Sequence, residues 1–413
     1  MEPQDKTPRP LEGIRVLDFG TALAAPLATL LLADMGAEVI KVERIQGEPQ
    51  RRGLPSGMDD VIGSRGGDVD VGSWIMLNRG KKGLAIDLTL QRAKEIIFKL
   101  VKDADVLSHG FRPGVMERLG FGYDAVSRIN PGIIYCALSG YGETGPLAHR
   151  VGGDMWAQAM SGMISIQGDP GGPPHMVGFT PIDCSTGMMA AYAIMLALFV
   201  KERTGVGQEV NLNLLDVAMY LQLMQLGSHL TDGKTVYKEG RGMPEQPPPF
   251  GPFRAKDGDV LTVFGSDPLW PQFCKLLSHE ELADDPRFSN DRVRREHRQE
   301  LYRILDDAFS KKTRGEWQQT FKEAKMRCDP CLTYEELCIH PQVAANEMII
   351  TMDHPKRGRL RMLGVPIKLK KTPGGPRHSA PLLGEHTATI LRQLGYTTDE
   401  IAAMERDNVI RTT

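Results

Sequence analysis

The first 140 residues alternate between short apolar runs and amphipathic segments, and this alternation restricts the fold more than any other feature. Residues 14–19 and 38–43 are apolar runs typical of buried strands, and the Ala- and Leu-rich residues 24–35 between them predict a helix. The remaining predicted elements here are strands over 84–88, 106–107 and 133–138 and a helix that opens at Thr89. Strands joined through helices run parallel, so the sequence predicts a doubly wound α/β domain that binds its ligand beyond the carboxyl ends of its strands.

The 413 residues exceed what a single hydrophobic core usually holds, so two structural units are expected. A Gly- and Pro-rich stretch over 239–252 is the clearest linker, and a hairpin turning at 256–258 follows it. We therefore expect a smaller α+β domain over 230–332. The linker could also act as a lid over a site, and the sequence favours neither role.

Composition excludes several classes of function. The net charge of −2 provides no positive field for nucleic acid or an anionic membrane. The longest apolar run, 188–200, is shorter than the roughly 20 residues of a membrane span, and the first residues lack a signal core. Cys328 and Cys331 have metal-type spacing, but no second Cys or His pair stands at a zinc-site distance. We expect a cytoplasmic protein that holds no metal.

The turn after the first strand reads Gly20-Thr-Ala22-Leu23-Ala-Ala25, without the glycine fingerprint of the nicotinamide dinucleotide folds. The second strand is followed by Arg44, and an arginine at this place commonly accepts a ribose phosphate. Coenzyme A carries a 3′-phosphate on its ribose, so Arg44 suits it. Further cations flank the same sheet, Lys82 before the third strand and Arg118 after the fourth. Each is alone typical of a solvated face, and only their shared position favours a phosphate site.

Asp183 lies among turn-forming residues directly ahead of the apolar run 188–200. Asp, Ser and Thr in such a place are ordinary helix N-cap residues. A carboxylate held at a helix start among small neighbours could instead attack an activated acyl group. Asp154, after Gly152 and Gly153, is open to two similar interpretations, as a group that orients a substrate channel or as a helix cap.

Several segments, taken in order along nearly the whole chain, resemble successive signatures of the class III coenzyme A-transferases. They are residues 11–19, 32–43, 79–88, 111–120, 139–142, 158–162, 204–208 and 381–386. The resemblance implies a large Rossmann-like domain built from both chain ends, 1–229 with 333–413, a small domain between them, and two subunits interlocked as rings. A homodimer is expected, or an assembly with a related subunit.

The resemblance also implies roles for individual residues. Asp183 matches the nucleophilic aspartate of the family, and Arg44 matches a residue that contacts the nucleotide of coenzyme A. Phe111 and Arg118 match positions that line the cofactor or substrate channel. Ala22, Leu23 and Lys82 complete the predicted cofactor-binding set, and coenzyme A serves as substrate and product with no metal.

The expected reaction transfers coenzyme A from an acyl-CoA, with succinyl-CoA as the first donor to try, to a carboxylic acid. A carboxylate with a reference pKa of about 4 is ionised at pH 7, so Asp183 needs no activating base. The helix start behind it is expected to supply N–H donors to the oxyanion. The related α-methylacyl-CoA racemases carry a histidine just before the aspartate of a Gly-His-Asp motif; Gly153 stands there in this chain, which argues against racemization.

Overall fold

The computed structural model describes residues 8–52, 70–243, 246–263 and 267–413. Twelve strands lie in these ranges: β1 (Arg15–Phe19), β2 (Glu38–Glu43), β3 (Lys82–Ile86), β4 (Val106–His109), β5 (Ile134–Ser139), β6 (Gln208–Asn213), β7 (Phe250–Ala255), β8 (Gly258–Val263), β9 (Cys328–Pro330), β10 (Ile349–His354), β11 (Gly358–Leu363) and β12 (Ile410–Arg411). The helices in the same ranges are α1 (Ala24–Asp34), α2 (Gly72–Asn78), α3 (Gln91–Lys102), α4 (Val115–Leu119), α5 (Tyr123–Ile129), α6 (Asp154–Met160), α7 (Pro181–Thr204), α8 (Leu214–Tyr220), α9 (Leu223–Asp232), α10 (Trp270–Leu276), α11 (Glu281–Asp284), α12 (Asp291–Glu296), α13 (Arg298–Phe309), α14 (Arg314–Glu323), α15 (Tyr334–Cys338), α16 (Pro341–Ala345), α17 (Thr387–Gln393) and α18 (Thr398–Arg406).

Seven strands form one sheet in the order β12-β3-β2-β1-β4-β5-β6. Only β12 runs antiparallel to its neighbour; the other pairs are parallel. The order 3-2-1-4-5-6 is that of the doubly wound folds that bind dinucleotides, so the predicted α/β class is confirmed. The strand order reverses between β1 and β4, and ligands of such sheets bind in the crevice outside the carboxyl ends of these strands.

Helices cover both faces of the sheet, which explains why its strands are nearly continuous apolar runs. Leu17 and Phe19 of β1 point into one core, which they share with α3, α5, α17 and α18. Val16 points into the opposite core, formed with α1 and α7. Small buried residues, including Gly187, Ala190 and Ala197, line the face of α7 that lies on α1 and the sheet, so this pair of helices can approach closely.

The 24 residues of α7 make it long and apolar enough, by length and composition, to cross a membrane, with a mean hydropathy of 1.6 over its most apolar window. The sequence underestimated this element, because the helix extends beyond the apolar run on which the prediction was based. Its buried positions contact α1 and the sheet, as those of a core helix do.

The chain divides into two compact units, one made of 1–161, 177–221 and 341–413 and the other of 162–176 and 222–340. Residues 230–332, predicted as the smaller domain, fall within the second unit, and the predicted limits stay a prediction. In that unit β7, β8 and β9 form an antiparallel sheet, and the predicted hairpin is confirmed with Lys256 and Asp257 between its strands. Its core is aromatic, with Phe273, Phe309, Trp317 and Phe321 in mutual contact.

The Gly- and Pro-rich stretch 239–252 is fastened to its own unit at its beginning. Arg241 forms a bidentate ion pair with Asp306 of α13, with N–O distances of 2.6 and 3.0 Å. Glu239 pairs with Arg295 and Arg298 at 3.0 and 2.5 Å. Residues 244 and 245 of this stretch lie outside the described ranges, and a role as lid stays a prediction.

Candidate active site

Asp183 is the third residue of α7 and does not cap it. The N-cap residue is Thr180, whose side chain makes no capping bond, and Pro181 occupies the first turn, where its missing N–H is not needed. Among the described residues, nothing forms a hydrogen bond or ion pair with the Asp183 carboxylate. The structure thus excludes the capping interpretation and leaves a half-buried carboxylate without a partner.

Asp154 holds the start of α7 in place. One of its carboxylate oxygens accepts hydrogen bonds from the backbone N–H groups of Ile182 and Asp183, at 2.7 and 2.9 Å. Its other oxygen accepts one from Gln158 at 2.6 Å, and Gln158 in turn accepts one from the N–H of Val177 at 3.0 Å. Asp154 is the first residue of α6 and is buried, and it ties α6 to the backbone N–H groups at the start of α7, as a helix cap does. A role in orienting a substrate channel stays a prediction.

A glycine contact sets the approach to Asp154. A Cβ added to Gly152 would lie 2.4 Å from the Cα of Gly140, closer than side-chain carbons come to any atom. Gly152 therefore lets the segment before α6 cross the end of β5 in direct backbone contact. The position two residues before Asp154 admits no side chain.

Burial, and then the nearby charge of Asp154, raise the pKa of Asp183 to about 6. The sequence led us to expect an unperturbed carboxylate, and the structure corrects this. At pH 7 roughly 90% of a group with such a pKa is still ionised, so Asp183 is mainly a carboxylate at that pH, and that it needs no activating base stays a prediction. A carboxylate of raised pKa is also a stronger nucleophile than one at the reference pKa.

The helix start does not supply the oxyanion donors that we expected. The N–H groups of Ile182 and Asp183 donate to Asp154, and that of Cys184 donates to the carbonyl of Thr180 at 3.2 Å. Pro181 has none. The expectation from the sequence was wrong because a second carboxylate occupies the donors of this helix end.

The packing of α7 brings Asp183 to the strand-order reversal of the sheet. Gly187, one helical turn after Asp183, lies against the beginning of α1: a Cβ built on it would be 2.7 Å from the carbonyl oxygen of Ala24 and 2.9 Å from Leu27 Cβ. Because α1 begins directly beyond the carboxyl end of β1, the turn of α7 that carries Asp183 lies at the edge of the sheet where ligands of such folds bind.

The topology brings most of the predicted cofactor residues to the same edge. Ala22 and Leu23 follow β1, Arg44 follows β2, and Phe111 follows β4, and these three strands are neighbours. Arg44 and Arg118 are exposed and have no ion-pair partner among the described residues, so both cations are available.

Lys82 lies elsewhere. It is the first residue of β3, so it belongs to the amino-terminal end of that strand, and its amine forms an ion pair with Glu38 Oε1 at 2.5 Å. The structure does not bring it together with Arg44, and its assignment to the cofactor stays a prediction. Arg79, three residues earlier, is also engaged, in an ion pair with Asp34 at 2.7 Å.

Sequence reasoning missed a buried charge cluster under the turn after β1. Asp18, Lys41 and Lys81 are fully buried, and Asp18 accepts a hydrogen bond from the Lys81 amine at 2.8 Å. Burial lowers the pKa of Lys81 to about 8. Burial alone would raise the pKa of Asp18, but the two lysine charges outweigh it and lower that pKa. A signal was present, because Asp18 and Lys41 interrupt strands that are otherwise apolar.

Within the described ranges, no group of three or more His, Cys, Asp or Glu side chains is placed to hold a metal ion.

The chain is similar to known proteins along nearly its whole length. The model of CoA-transferase family III matches residues 11–387. A succinyl-CoA:glutarate CoA-transferase of Mus musculus is 33% identical over 388 residues, which are 94% of this chain and 86% of that protein. A formyl-CoA:oxalate CoA-transferase of Streptomyces coelicolor is 32% identical over 423 residues, 98% of this chain and 100% of that one. A crystal structure of a CaiB/BaiF family protein from Brucella suis is similar with a TM-score of 0.83 and 29% identity, covering 94% of this chain and 100% of that one.

Proposed function

The chain belongs to CoA-transferase family III, and from this premise we propose that it moves coenzyme A from an acyl-CoA donor to a carboxylic acid through covalent intermediates on Asp183. The observation that carries the proposal is the Asp183 carboxylate, which has no partner among the described residues. Asp154 binds the backbone N–H of Asp183, and the residue lies at the edge of the sheet where Ala22, Leu23 and Phe111 also lie. A carboxylate engaged in a cap or an ion pair would be a poor nucleophile, and this one is engaged in neither.

The first half of the reaction loads coenzyme A on the enzyme. The Asp183 carboxylate attacks the thioester carbonyl of the donor, a C–O bond forms, and the C–S bond breaks to release the thiolate of coenzyme A. This leaves a mixed anhydride between Asp183 and the donor acyl group. The thiolate then attacks the Asp183 carbonyl, giving an aspartyl thioester and the free donor acid as carboxylate.

The second half runs the same steps in reverse with another acid. The acceptor carboxylate attacks the aspartyl thioester, releases the thiolate and forms a new anhydride. The thiolate attacks the acyl carbonyl of the acceptor, which leaves as acyl-CoA, and Asp183 returns as carboxylate. One thioester replaces another, so the exchange needs no ATP, and no proton has to be transferred.

Coenzyme A is proposed to lie across the carboxyl edge of β1, β2 and β4. Arg44 is the proposed partner of its 3′-phosphate, because the residue is exposed, unpaired among the described residues and placed directly after β2. Arg118 supplies a second available cation, and Phe111 an aromatic surface beside the crevice. Ala22 and Leu23 form the turn over which the cofactor passes.

Short dicarboxylates are the proposed acids. Relatives that cover most of this chain are named for exchanges between succinyl-CoA and glutarate and between formyl-CoA and oxalate. We propose succinyl-CoA as donor, with glutarate and oxalate as the first acceptors to try. We also propose that the reaction takes place in the cytoplasm, where cysteines outside disulfide bonds, as all six are here, are usual.

We propose that two copies of the chain assemble. Met188, Tyr192, Leu196 and Phe199 follow one another along one side of α7, and each is about half or more exposed in the single chain. A face of this kind is usually covered, and the interlocked dimer implied by the family resemblance would cover it with a second copy. Light scattering on the purified chain gives the mass; a monomer that is active only with a related subunit would identify a hetero-oligomer instead.

The test is exchange by the purified chain. Incubation with succinyl-CoA and glutarate is expected to yield glutaryl-CoA, and hydroxylamine added during turnover is expected to leave a hydroxamate on Asp183, located by mass spectrometry. Asp183→Asn should give neither product. Exchange by that variant at the native rate would refute the proposal, and uptake of deuterium at the α-carbon of a branched acyl-CoA without exchange would identify a racemase.

A further inference from the structure

The turn between β1 and α1 is held on the inside by charged groups that water does not reach. Asp18, Thr29, Lys41 and Lys81 are all fully buried. Asp18 Oδ2 accepts hydrogen bonds from the Thr29 hydroxyl at 2.7 Å and from Lys81 Nζ at 2.8 Å. Lys41 forms an ion pair with Glu48. The four side chains come from β1, α1, β2 and the residue before β3, so they include two of the three strands of the proposed nucleotide edge, β1 and β2.

Each charge of this cluster also binds backbone of the turn or of the first helical turn behind it. Asp18 Oδ1 accepts a hydrogen bond from the N–H of Gly20 at 2.8 Å, and the carbonyl of Gly20 accepts one from Lys41. Lys81 Nζ donates to the carbonyl of Pro26 at 2.9 Å. Both sides of the turn are therefore fixed, the entry at Gly20 and the exit at Pro26.

The turn itself has a shape that it would not adopt without support. Ala22 has a φ of 65°, in the left-handed region that side chains with a Cβ rarely occupy. A Cβ on Gly20 would lie 2.7 Å from Ala25 Cβ, so the turn is also closely packed. In nucleotide folds with the glycine fingerprint, glycines make such a turn possible, and this chain has only the first of them.

Stability alone does not explain a cluster of this kind. Removing charges from water is unfavourable, and buried ion pairs are often replaceable by apolar side chains without loss of stability. Their better-attested effect is to select one local conformation among several. The conformation selected here is that of the Gly20–Leu23 turn, which lies at the strand-order reversal between β1 and β4.

We propose that Asp18, Lys41 and Lys81 are positioning residues that hold the Gly20–Leu23 turn in the shape that binds coenzyme A, in place of the glycine fingerprint. The inference rests on the proposed function, since it assumes that coenzyme A passes over this turn. None of the three side chains touches the cofactor, because all are sealed beneath the turn.

The test measures binding of coenzyme A by calorimetry to the full-length chain and its variants. Lys81→Met keeps the length of the side chain and removes the charge that bridges Asp18 and Pro26, and we expect the Kd of coenzyme A to rise at least tenfold. The KM for acyl-CoA should rise with it, whereas the KM for the acceptor acid and kcat at saturating acyl-CoA should change less than threefold. A role in stability alone would not separate the two substrates in this way.

Arg79→Met is the matched control. Arg79 forms a comparably buried ion pair, with Asp34 at the far end of α1, and contacts no residue of the turn. Its variant is expected to melt at a lower temperature and still bind coenzyme A within about twofold of the native affinity. Equal weakening by Arg79→Met would show a general effect of lost ion pairs and overturn the inference.

A milder pair of variants decides the matter if Lys81→Met does not fold. Thr29→Val removes only the hydroxyl that donates to Asp18, and Thr29→Ser keeps it. We expect a severalfold higher Kd for the valine variant and native affinity for the serine variant. Native affinity in both would overturn the inference while leaving the proposed function intact, whereas a native chain that neither binds coenzyme A nor exchanges it would refute the proposed function itself.

Discussion

Replacing Asp183, the proposed nucleophile, should make the protein more stable as it becomes inactive. The pKa of Asp183 is about 6 in the folded chain against a reference value of 3.8. A carboxyl group whose folded pKa is raised stabilises the fold while it is protonated and destabilises it once ionised. The native state therefore loses stability as the pH rises from about 4 through 6, and Asp183→Asn, which stays neutral, does not.

The size of the effect follows from the two pKa values. A difference of about 2 pK units corresponds to about 3 kcal/mol when the pH lies well above both. About half of this free-energy change develops between pH 5 and pH 7.5, where linkage predicts that ionisation of Asp183 lowers the free energy of unfolding by about 1.4 kcal/mol. At this chain length 1 kcal/mol shifts the melting temperature by on the order of 1–2 °C, so the variant should gain about 2 °C over the native protein between the two pH values.

The assay is thermal melting of the native protein and Asp183→Asn at pH 5 and at pH 7.5. The result is the change, between the two pH values, in the difference between their melting temperatures, because the contributions of the other titrating groups cancel in that difference. Asp353→Asn is the control, because Asp353 is an exposed residue of β10 without a hydrogen bond or ion pair among the described residues, and its difference should stay constant. A variant that loses stability relative to the native protein at pH 7.5 would show that the fold stabilises the ionised Asp183. The account of an unpartnered, desolvated nucleophile would then be wrong.

Two further predictions concern the packing and the phosphate site. Gly187→Ala should lower the melting temperature and reduce kcat about 10- to 100-fold, because its methyl group would push α7 away from the Ala24 carbonyl. The control is Gly227→Ala in α9, where a methyl group meets no other atom. Its higher helix propensity should stabilise the protein by up to about 1 kcal/mol. Arg44→Gln should raise the KM for succinyl-CoA about tenfold or more and leave the KM for its 3′-dephospho analogue unchanged. Instability from Gly227→Ala, or equal loss with both thioesters for Arg44→Gln, would contradict these explanations.

The sheet could be predicted because its strands are buried on both faces, so they appear in the sequence as apolar runs with helical segments between them. β2 was predicted with its observed limits, and α1 to within one residue. The Gly- and Asp-rich stretch 46–75 is typical of a surface loop, yet α2 begins at Gly72 and buries Trp74 and Ile75; residues 53–69 lie outside the described ranges. Composition pointed to a loop there because Gly and Asp outnumber the few apolar residues, and only tertiary contact reveals which of those are core.

The hydrogen-bond and ion-pair partners of individual polar side chains could be predicted less well from the sequence. Thr89 was expected to cap α3, yet its hydroxyl and its N–H both donate to Asp87, and the helix begins two residues later, at Gln91. Lys82 was included in the predicted cofactor set because cations flank the same sheet, although it pairs with Glu38, and its neighbour Arg79 is buried against Asp34. Spacing along the chain does not say on which end of a strand a charge falls or which acid faces it.

Competition for hydrogen bonds also explains how a carboxylate near an ordinary capping position can be free to act as the proposed nucleophile. An aspartate in the first turn of a helix is normally stabilised by the free N–H groups there, which lower its pKa and hold its oxygens. In this chain Asp154 reaches in from α6 and takes the N–H groups of Ile182 and Asp183 for itself. The side chain of Asp183 is buried and accepts none of these hydrogen bonds, and it lies near the negative charge of Asp154. Burial and that charge both raise its pKa. What distinguishes Asp183 from a capping aspartate is thus a residue 29 positions earlier that competes for the same hydrogen bonds.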